Sequence, residues 1–282
     1  KSYGDVTAVK GLSLSVRDGE IMGIIGHNGA GKTTTLKMVA GLVRPTSGQI
    51  HVMDRDIKAD GLRVKRFIGF LPEISSLYEK MTVTEYLMFF AELYSVPRRV
   101  ARRRMDELLA SLDLPRRNQR TGELSKGMRR KVAIARALLH DPRVLILDEP
   151  NAGLDPLTSF FIIDYLKGLR EDGKTLLVSA HNLFHIEYIC DRVAILRDGE
   201  LLICDTMDAI RESLGHREYE VVFKSDEQLN FHREDGNYIF RASDVGQVAS
   251  VLGCISQNDW ALVNLSVRES ALEEIYVKLM TA

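Results

Sequence analysis

The chain has 282 residues, 45% of them hydrophobic, enough to bury a substantial core in one large domain or two unequal ones. A formal net charge of −1 with 27% charged residues gives no bulk attraction toward nucleic acid or anionic lipid. Three cysteines, Cys190, Cys204 and Cys254, form no CxxC pair, which argues for reduced thiols rather than a disulfide frame or a zinc site. No run reaches the roughly 18–20 apolar residues that cross a bilayer, and the opening Lys-Ser-Tyr-Gly has no signal-peptide core. A soluble protein is expected, with any membrane role supplied by a partner.

In chain order, the apolar run Ile21–Ile25 predicts a buried strand. A glycine-rich turn follows, and then Lys32–Leu42, which has helix-forming character. The turn reads Gly26-His27-Asn28-Gly29-Ala30-Gly31-Lys32-Thr33, the G-x-x-x-x-G-K-T pattern, in the strand-to-helix setting that gives it meaning. Glycines let backbone N–H groups turn inward around phosphate oxygens, and the helix N-terminus adds a favourable dipole. Residues 26–34, ending at Thr34, are therefore candidates to bind ATP. Lys32 is expected on the β- and γ-phosphates, and the Thr33 hydroxyl on Mg²⁺.

From Thr82 to His140 the pattern is helical, with Tyr86, Leu87, Phe90, Met105, Leu108 and Leu112 among its apolar positions and Pro97 and Pro115 as punctuation. It reads as a helical subdomain, about residues 74–140, inserted into an α/β core. A second buried strand, Val144–Leu147, ends in Asp148 and Glu149. That end is where an open parallel sheet binds its ligands. Asp148 would hold Mg²⁺ through its water shell, and Glu149 is the natural general base for an attacking water. A helix over Ser159–Arg170 and a third strand, Thr175–Ser179, complete a mostly parallel sheet covered on both faces.

Near Leu214-Gly215-His216-Arg217 the character changes. Strands at Tyr219–Phe223 and Tyr238–Ala242, a helix around Asp244–Leu252, a strand at Ala261–Leu265 and a helix at Glu269–Leu279 suggest a small α+β domain over residues 215–282. Trp260 reads as part of its core.

Leu124-Ser125-Lys126-Gly127-Met128, ahead of a helix, resembles the signature of ABC ATPases, usually written LSGGQ, with Lys126 and Met128 departing from that form. The resemblance covers most of residues 3–210 and identifies the chain with the ATP-binding subunits of ABC transporters of the ABC-2 exporter type. It implies a P-loop NTPase core over residues 1–214. Tyr3 stands where the family stacks an aromatic on adenine. Asn151-Ala152-Gly153-Leu154-Asp155 resembles the D-loop, and Ser179-Ala180-His181 the switch-histidine segment, placing catalytic His181 at the γ-phosphate. Glu73, in Ile68-Gly69-Phe70-Leu71-Pro72-Glu73, stands where most members carry the Q-loop glutamine, and is expected on the metal side. Ser125 and Gly127 are expected to bind the γ-phosphate of a partner subunit in a head-to-tail dimer, homodimeric or heterodimeric. The family further implies an integral-membrane permease and a cytoplasmic location on the inner face of the membrane.

Blander readings stand beside these. His181 and His185 lie four apart, yet no third zinc ligand accompanies them. The arginines at 98, 99, 102, 103, 104, 116, 117 and 120 are interleaved with Asp106, Glu107 and Asp113 and lack an aromatic stacking series, so they read as a solvated helical face, with no nucleic-acid partner expected. A soluble ABC ATPase of translation or DNA repair is the alternative function; such proteins usually carry paired cassettes or coiled coils, which this chain lacks. A non-catalytic nucleotide sensor is disfavoured by the presence of Lys32, Glu149 and His181.

Overall fold

β1 (Ile21–Gly26) is buried at every position, the pattern of a strand covered on both faces. β2 (Ile68–Leu71), β3 (Val144–Asp148), β4 (Thr175–Ser179) and β5 (Arg192–Arg197) are built in the same way, and the partly exposed β6 (Glu200–Thr206) closes one edge. This computed structural model describes every residue but Arg116, His216 and Ala282. Arg116 of the arginine series and His216 of the domain junction thus lie outside the described residues.

The strands run in the order β6-β5-β1-β4-β3-β2. All pairings are parallel except β5 with β6. β1 therefore sits in mid-sheet, and the carboxyl ends of β1, β3 and β4 open on one rim, the position an open α/β sheet uses for ligands. Met22, Ile24, Leu36, Ile146, Leu177 and Leu196 form a fully buried cluster beneath that rim.

α1 (Lys32–Val39) ends sooner than the apolar pattern suggested. Gly41 (φ 66°) turns the chain out, and the Leu42 amide donates back to the Lys37 carbonyl at 2.9 Å, a glycine-terminated helix end. A short α2 (Gly61–Lys65) precedes β2. The segment between β2 and β3 holds α3 (Val83–Leu93), α4 (Arg98–Ser111) and α5 (Lys126–Leu138). Thr82 and Glu85 form a reciprocal capping box that starts α3. α6 (Pro156–Glu171) starts at Asp155, whose side chain accepts from the Thr158 amide, with Pro156 in the first turn. α7 (Leu183–Ile189) connects β4 to β5. Among the described residues no helix is long and apolar enough to cross a membrane.

The chain divides into two compact units, Lys1–Thr206 and Met207–Ala282. The division falls ahead of Leu214, where composition alone placed it. α8 (Met207–Leu214) buries Met207 and Ile210 and packs with the C-terminal helix, so it belongs to the second unit. That unit is an antiparallel sheet of β7 (Arg217–Lys224), β8 (His232–Glu234), β9 (Asn237–Ala242) and β10 (Ala261–Glu269), in the order β8-β9-β7-β10. α9 (Val245–Gln257) covers one face through Val248, Val251 and Ile255, and α10 (Leu272–Thr281) closes the chain. Trp260 stacks on buried Phe223 with ring centroids 5.3 Å apart.

Gly69 in β2 passes directly beneath α5. A β-carbon there would strike the Ala137 carbonyl oxygen and lie 2.7 Å from the Leu145 side chain. Gly69→Ala is expected to cost about 1–3 kcal/mol of stability, lowering Tm by about 2–4 °C per kcal/mol for a unit of this size. A thermal melt unchanged from the parent chain would contradict this packing.

Candidate nucleotide site

The loop after β1 is bent by Gly29 (φ 88°) and Gly31 (φ 97°). A β-carbon on Gly31 would come within 2.6 Å of the Ala8 carbonyl oxygen, and one on Gly26 within 2.5 Å of that of Leu196. Only bare backbone fits at these points. Gly31 caps α1, whose first-turn amides have no partner within the helix and sit at the positive end of its dipole. Loop and helix together make an anion cradle.

His27, Asn28, Gly29, Ala30, Gly31, Lys32, Thr33 and Thr34 line a cleft of about 670 Å³, with Tyr3, Glu73, Glu149 and His181 on its other walls. The Lys32 ammonium is buried and donates to the carbonyls of Gly26 at 2.6 Å and His27 at 3.1 Å. Burial lowers its pKa below the ordinary lysine value, while Glu149, Asp148 and Glu73 pull it back up. It is a preformed counter-charge for a polyphosphate. Tyr3 is half exposed, with the Lys1 ammonium 4.6 Å from its ring centre.

The end of β3 is fixed by hydroxyls. Thr33 Oγ1 donates to Asp148 Oδ1 at 3.2 Å and Ser179 Oγ donates to the same oxygen at 2.7 Å. Ser179 Oγ also accepts from the Glu149 amide at 3.1 Å. Glu149 itself is buried and takes a left-handed backbone (φ 48°), a conformation that strains a residue with a β-carbon. Its carboxylate accepts from the His181 amide at 3.1 Å, and Oε1 lies 3.3 Å from His181 Nε2. Burial raises the Glu149 pKa, an effect opposed by His181 and Lys32. A carboxylate that holds its charge reluctantly is a better proton acceptor than an exposed one.

Thr33, Asp148 and Glu73 present oxygen donors, the kind Mg²⁺ takes. Among the described residues no three His, Cys, Asp or Glu side chains form a metal cluster, so any such ion here would depend on phosphate oxygens for the rest of its shell. The His181–His185 pair does not converge on a common ligand position: His185 Nδ1 lies 3.3 Å from Asn151 Nδ2, while His181 faces Glu149.

Ser125 and Gly127 do not line the cleft. Ser125 caps α5 by accepting from the Met128 amide at 3.3 Å, and Gly127 lies against Thr158, whose side chain a β-carbon would meet at 3.0 Å. Three further residues take part in the site without a role assigned to them from the sequence. Ser179 ties Asp148 to Glu149, Asp198 pairs with His27 at 3.3 Å on the cleft wall, and Arg130 is buried under the site. Arg130 did carry a signal. With Ala133, Ile134 and Ala137 it completes an i, i+3, i+4, i+7 stripe and so falls on the inward face of α5.

A parallel sheet whose middle strand enters this loop, and in which the next strand but one ends in two fixed carboxylates, is the framework of a P-loop nucleoside triphosphatase. The ABC transporter family profile matches residues 9–152. The chain is 38% identical over 216 residues to the linearmycin resistance ATP-binding protein LnrL of Bacillus subtilis (strain 168), spanning 76% of this chain and 70% of that one. It is also 38% identical over 214 residues to the Nod factor export ATP-binding protein I of Burkholderia orbicola (strain AU 1054), again spanning 76% and 70%. An ATP-binding cassette solved as a dimer in a post-hydrolysis state with ADP and Pi superposes with a TM-score of 0.66 at 29% identity, covering 73% of this chain and 94% of that one. The chain belongs to the ABC transporter family as an ATP-binding, ATP-hydrolysing subunit.

Gly31→Ala tests the cradle directly. The added β-carbon meets the Ala8 carbonyl and the left-handed backbone disfavours alanine, a combined strain of about 1–3 kcal/mol. ATP affinity is expected to fall about tenfold or more, read by titration with a fluorescent ATP analogue. Unchanged affinity would show that the loop does not need glycine here.

Proposed function

We propose that this chain is the ATPase subunit of an ABC-2-type exporter, acting from the cytoplasmic face of the membrane as an ATP-bound dimer that drives a separate integral-membrane permease. The observation that carries this reading is the half-built site: Lys32 lines the phosphate cleft, while Ser125 and Gly127 stand outside it. A second subunit, identical or homologous, would supply its Ser125 and Gly127 to the γ-phosphate held by the first. The names of the two relatives above, one for resistance and one for export, favour a transporter over translation or DNA repair.

In this reading the loop amides and Lys32 hold the β- and γ-phosphates, and Tyr3 stacks on adenine. Glu149 orients the attacking water and takes its proton in hydrolysis. His181, already against the Glu149 carboxylate, holds that base and reaches the γ-phosphate. When bound, Mg²⁺ would be held by Thr33, Glu73 and Asp148 and would neutralise charge on the phosphate oxygens. Asp148 enters that role already aligned by Thr33 and Ser179. The first unit would then be the nucleotide-binding domain, and Met207–Ala282 an accessory domain.

Glu149→Gln keeps the side-chain shape and removes the base. Steady-state hydrolysis is expected to disappear while ATP is still bound, and the protein is expected to run as a dimer with ATP in size-exclusion chromatography. Undiminished turnover would reject the base, and a monomer under saturating ATP would reject the shared site. The parent chain adds a pH test. A base must be ionised, so turnover falls as pH drops through the Glu149 pKa, which burial raises. The acid limb of kcat/KM, which reports the free enzyme, should therefore lie above the ordinary glutamate value of about 4.3. Affinity capture from membranes is expected to recover a protein with several transmembrane spans; recovery of ribosomes or DNA ends would favour the alternative function.

A further inference from the structure

Arg130 is a guanidinium without a carboxylate partner at hydrogen-bonding distance, buried to 6% exposure and surrounded by backbone. Its Nε donates to the Pro150 carbonyl at 2.7 Å. Nη2 donates to the carbonyls of Glu149 at 2.6 Å and Asp148 at 3.0 Å. Nη1 donates to the carbonyls of Pro72 at 2.7 Å and Glu73 at 3.0 Å, and to Ser75 Oγ at 2.8 Å. All three nitrogens are used, and they reach two different loops from a third element. Burial pulls the pKa down to about 10, with Asp148, Glu73 and Glu149 acting against that fall, so the group remains a cation at neutral pH.

Burying a charge is expensive, and a well-packed apolar side chain could fill the same volume without that cost. What an apolar side chain cannot do is grip carbonyls. The planar fork of arginine presents five N–H donors in fixed directions, and here they are spent on the two segments that carry the reactive carboxylates. One of those segments is strained: Glu149 has φ 48°, and a peptide in that conformation persists only where its surroundings hold it. The shortest Arg130 bond falls on the carbonyl of that residue. The other segment carries Glu73. Arg130 itself lies in the second turn of α5, the helix that Ser125 caps and in which Gly127 lies.

We propose that Arg130 is a positioning residue: it clamps the Glu149 peptide in its left-handed conformation and ties that conformation to the Glu73 loop and to the helix bearing Ser125 and Gly127. This rests on the reading of Glu149 as the base. Displacement of α5, as when a second subunit closes on its N-terminus, is then felt at the Glu149 carbonyl through one side chain. The clamp aims the carboxylate without touching nucleotide, so it acts on the rate and not on ATP affinity.

The test uses the full chain carrying Arg130→Lys, which keeps the charge and much of the length but replaces the fork with a single ammonium. A misaimed base predicts that kcat falls about tenfold to a hundredfold, while KM and the dissociation constant of a fluorescent ATP analogue stay within about twofold. A passive core role predicts the reverse: a lower Tm, with kcat per folded, nucleotide-binding molecule unchanged. Ser75→Ala removes one acceptor and leaves the arginine in place; it should lower kcat about two- to fivefold at constant KM, and it decides the matter if Arg130→Lys does not fold. Wild-type kcat in Arg130→Lys, or in Ser75→Ala where the lysine variant is unfolded, overturns the proposal. Glu149→Gln run alongside separates the two ideas. If it is inactive while Arg130→Lys is fully active, the clamp alone fails; if it is fully active, the base reading fails with it.

Discussion

One serine hydroxyl holds the reactive end of the sheet together. Ser179 Oγ gives its proton to Asp148 Oδ1 and receives the Glu149 amide, so the last residue of β4 fixes both acidic residues at the end of β3. The Asp148–Ser179 register makes this possible, since the two residues are paired neighbours in the parallel ladder. β1 lies on the other side of β4, and its loop sends Thr33 back to the same carboxylate. Three strand ends are thus joined through one oxygen of one aspartate. Side chains that must act within hydrogen-bond distance of each other are aligned by sheet geometry before any ligand arrives, which is where much of the catalytic benefit of a rigid scaffold originates.

The charges around this knot restrain one another. Lys32, Asp148, Glu149 and Arg130 are all buried, and any one of them alone would be a costly ion. Lys32 is held by loop carbonyls and by the pull of three carboxylates, Glu149 by His181 and Lys32, and Arg130 by carbonyls. A polyphosphate entering the cradle meets a cation already stripped of much of its water, in a setting where each electrostatic contact is stronger than it would be in bulk solvent.

The parts legible in the sequence were those with a tight steric or solvent rule behind them. The phosphate loop is readable because the backbone must pass close to Ala8 and Leu196, which only glycine at 31 and 26 allows. β1, β3 and β4 are readable because strands covered on both faces are apolar throughout. Other parts follow looser rules. β8 is three exposed residues and leaves no hydrophobic trace. β6 is partly exposed along an edge and has no clean alternation. The first-unit boundary was drawn at a change of composition, whereas α8 joins the second unit by packing, which composition does not record. Arg130 stands in the run Arg129-Arg130-Lys131, where charge alone does not tell an inward residue from its neighbours; only the helical phase, counted from the apolar residues after it, does so. The distance between Ser125 and the cleft could not be read from spacing, because it depends on how three helices fold back over the sheet.

The left-handed backbone at Glu149 has an evolutionary corollary. Asparagine or glycine would sit there with less strain, and either would also relieve the burial of a carboxylate. The backbone conformation taken alone therefore does not favour glutamate at this position. Chains screened only for thermal robustness, with no demand for turnover, would be expected to drift away from it early, since stabilising changes often come at the expense of activity where a site is strained. If Glu149 is the base proposed above, its backbone marks a position where the demands of rate and of folding pull in opposite directions.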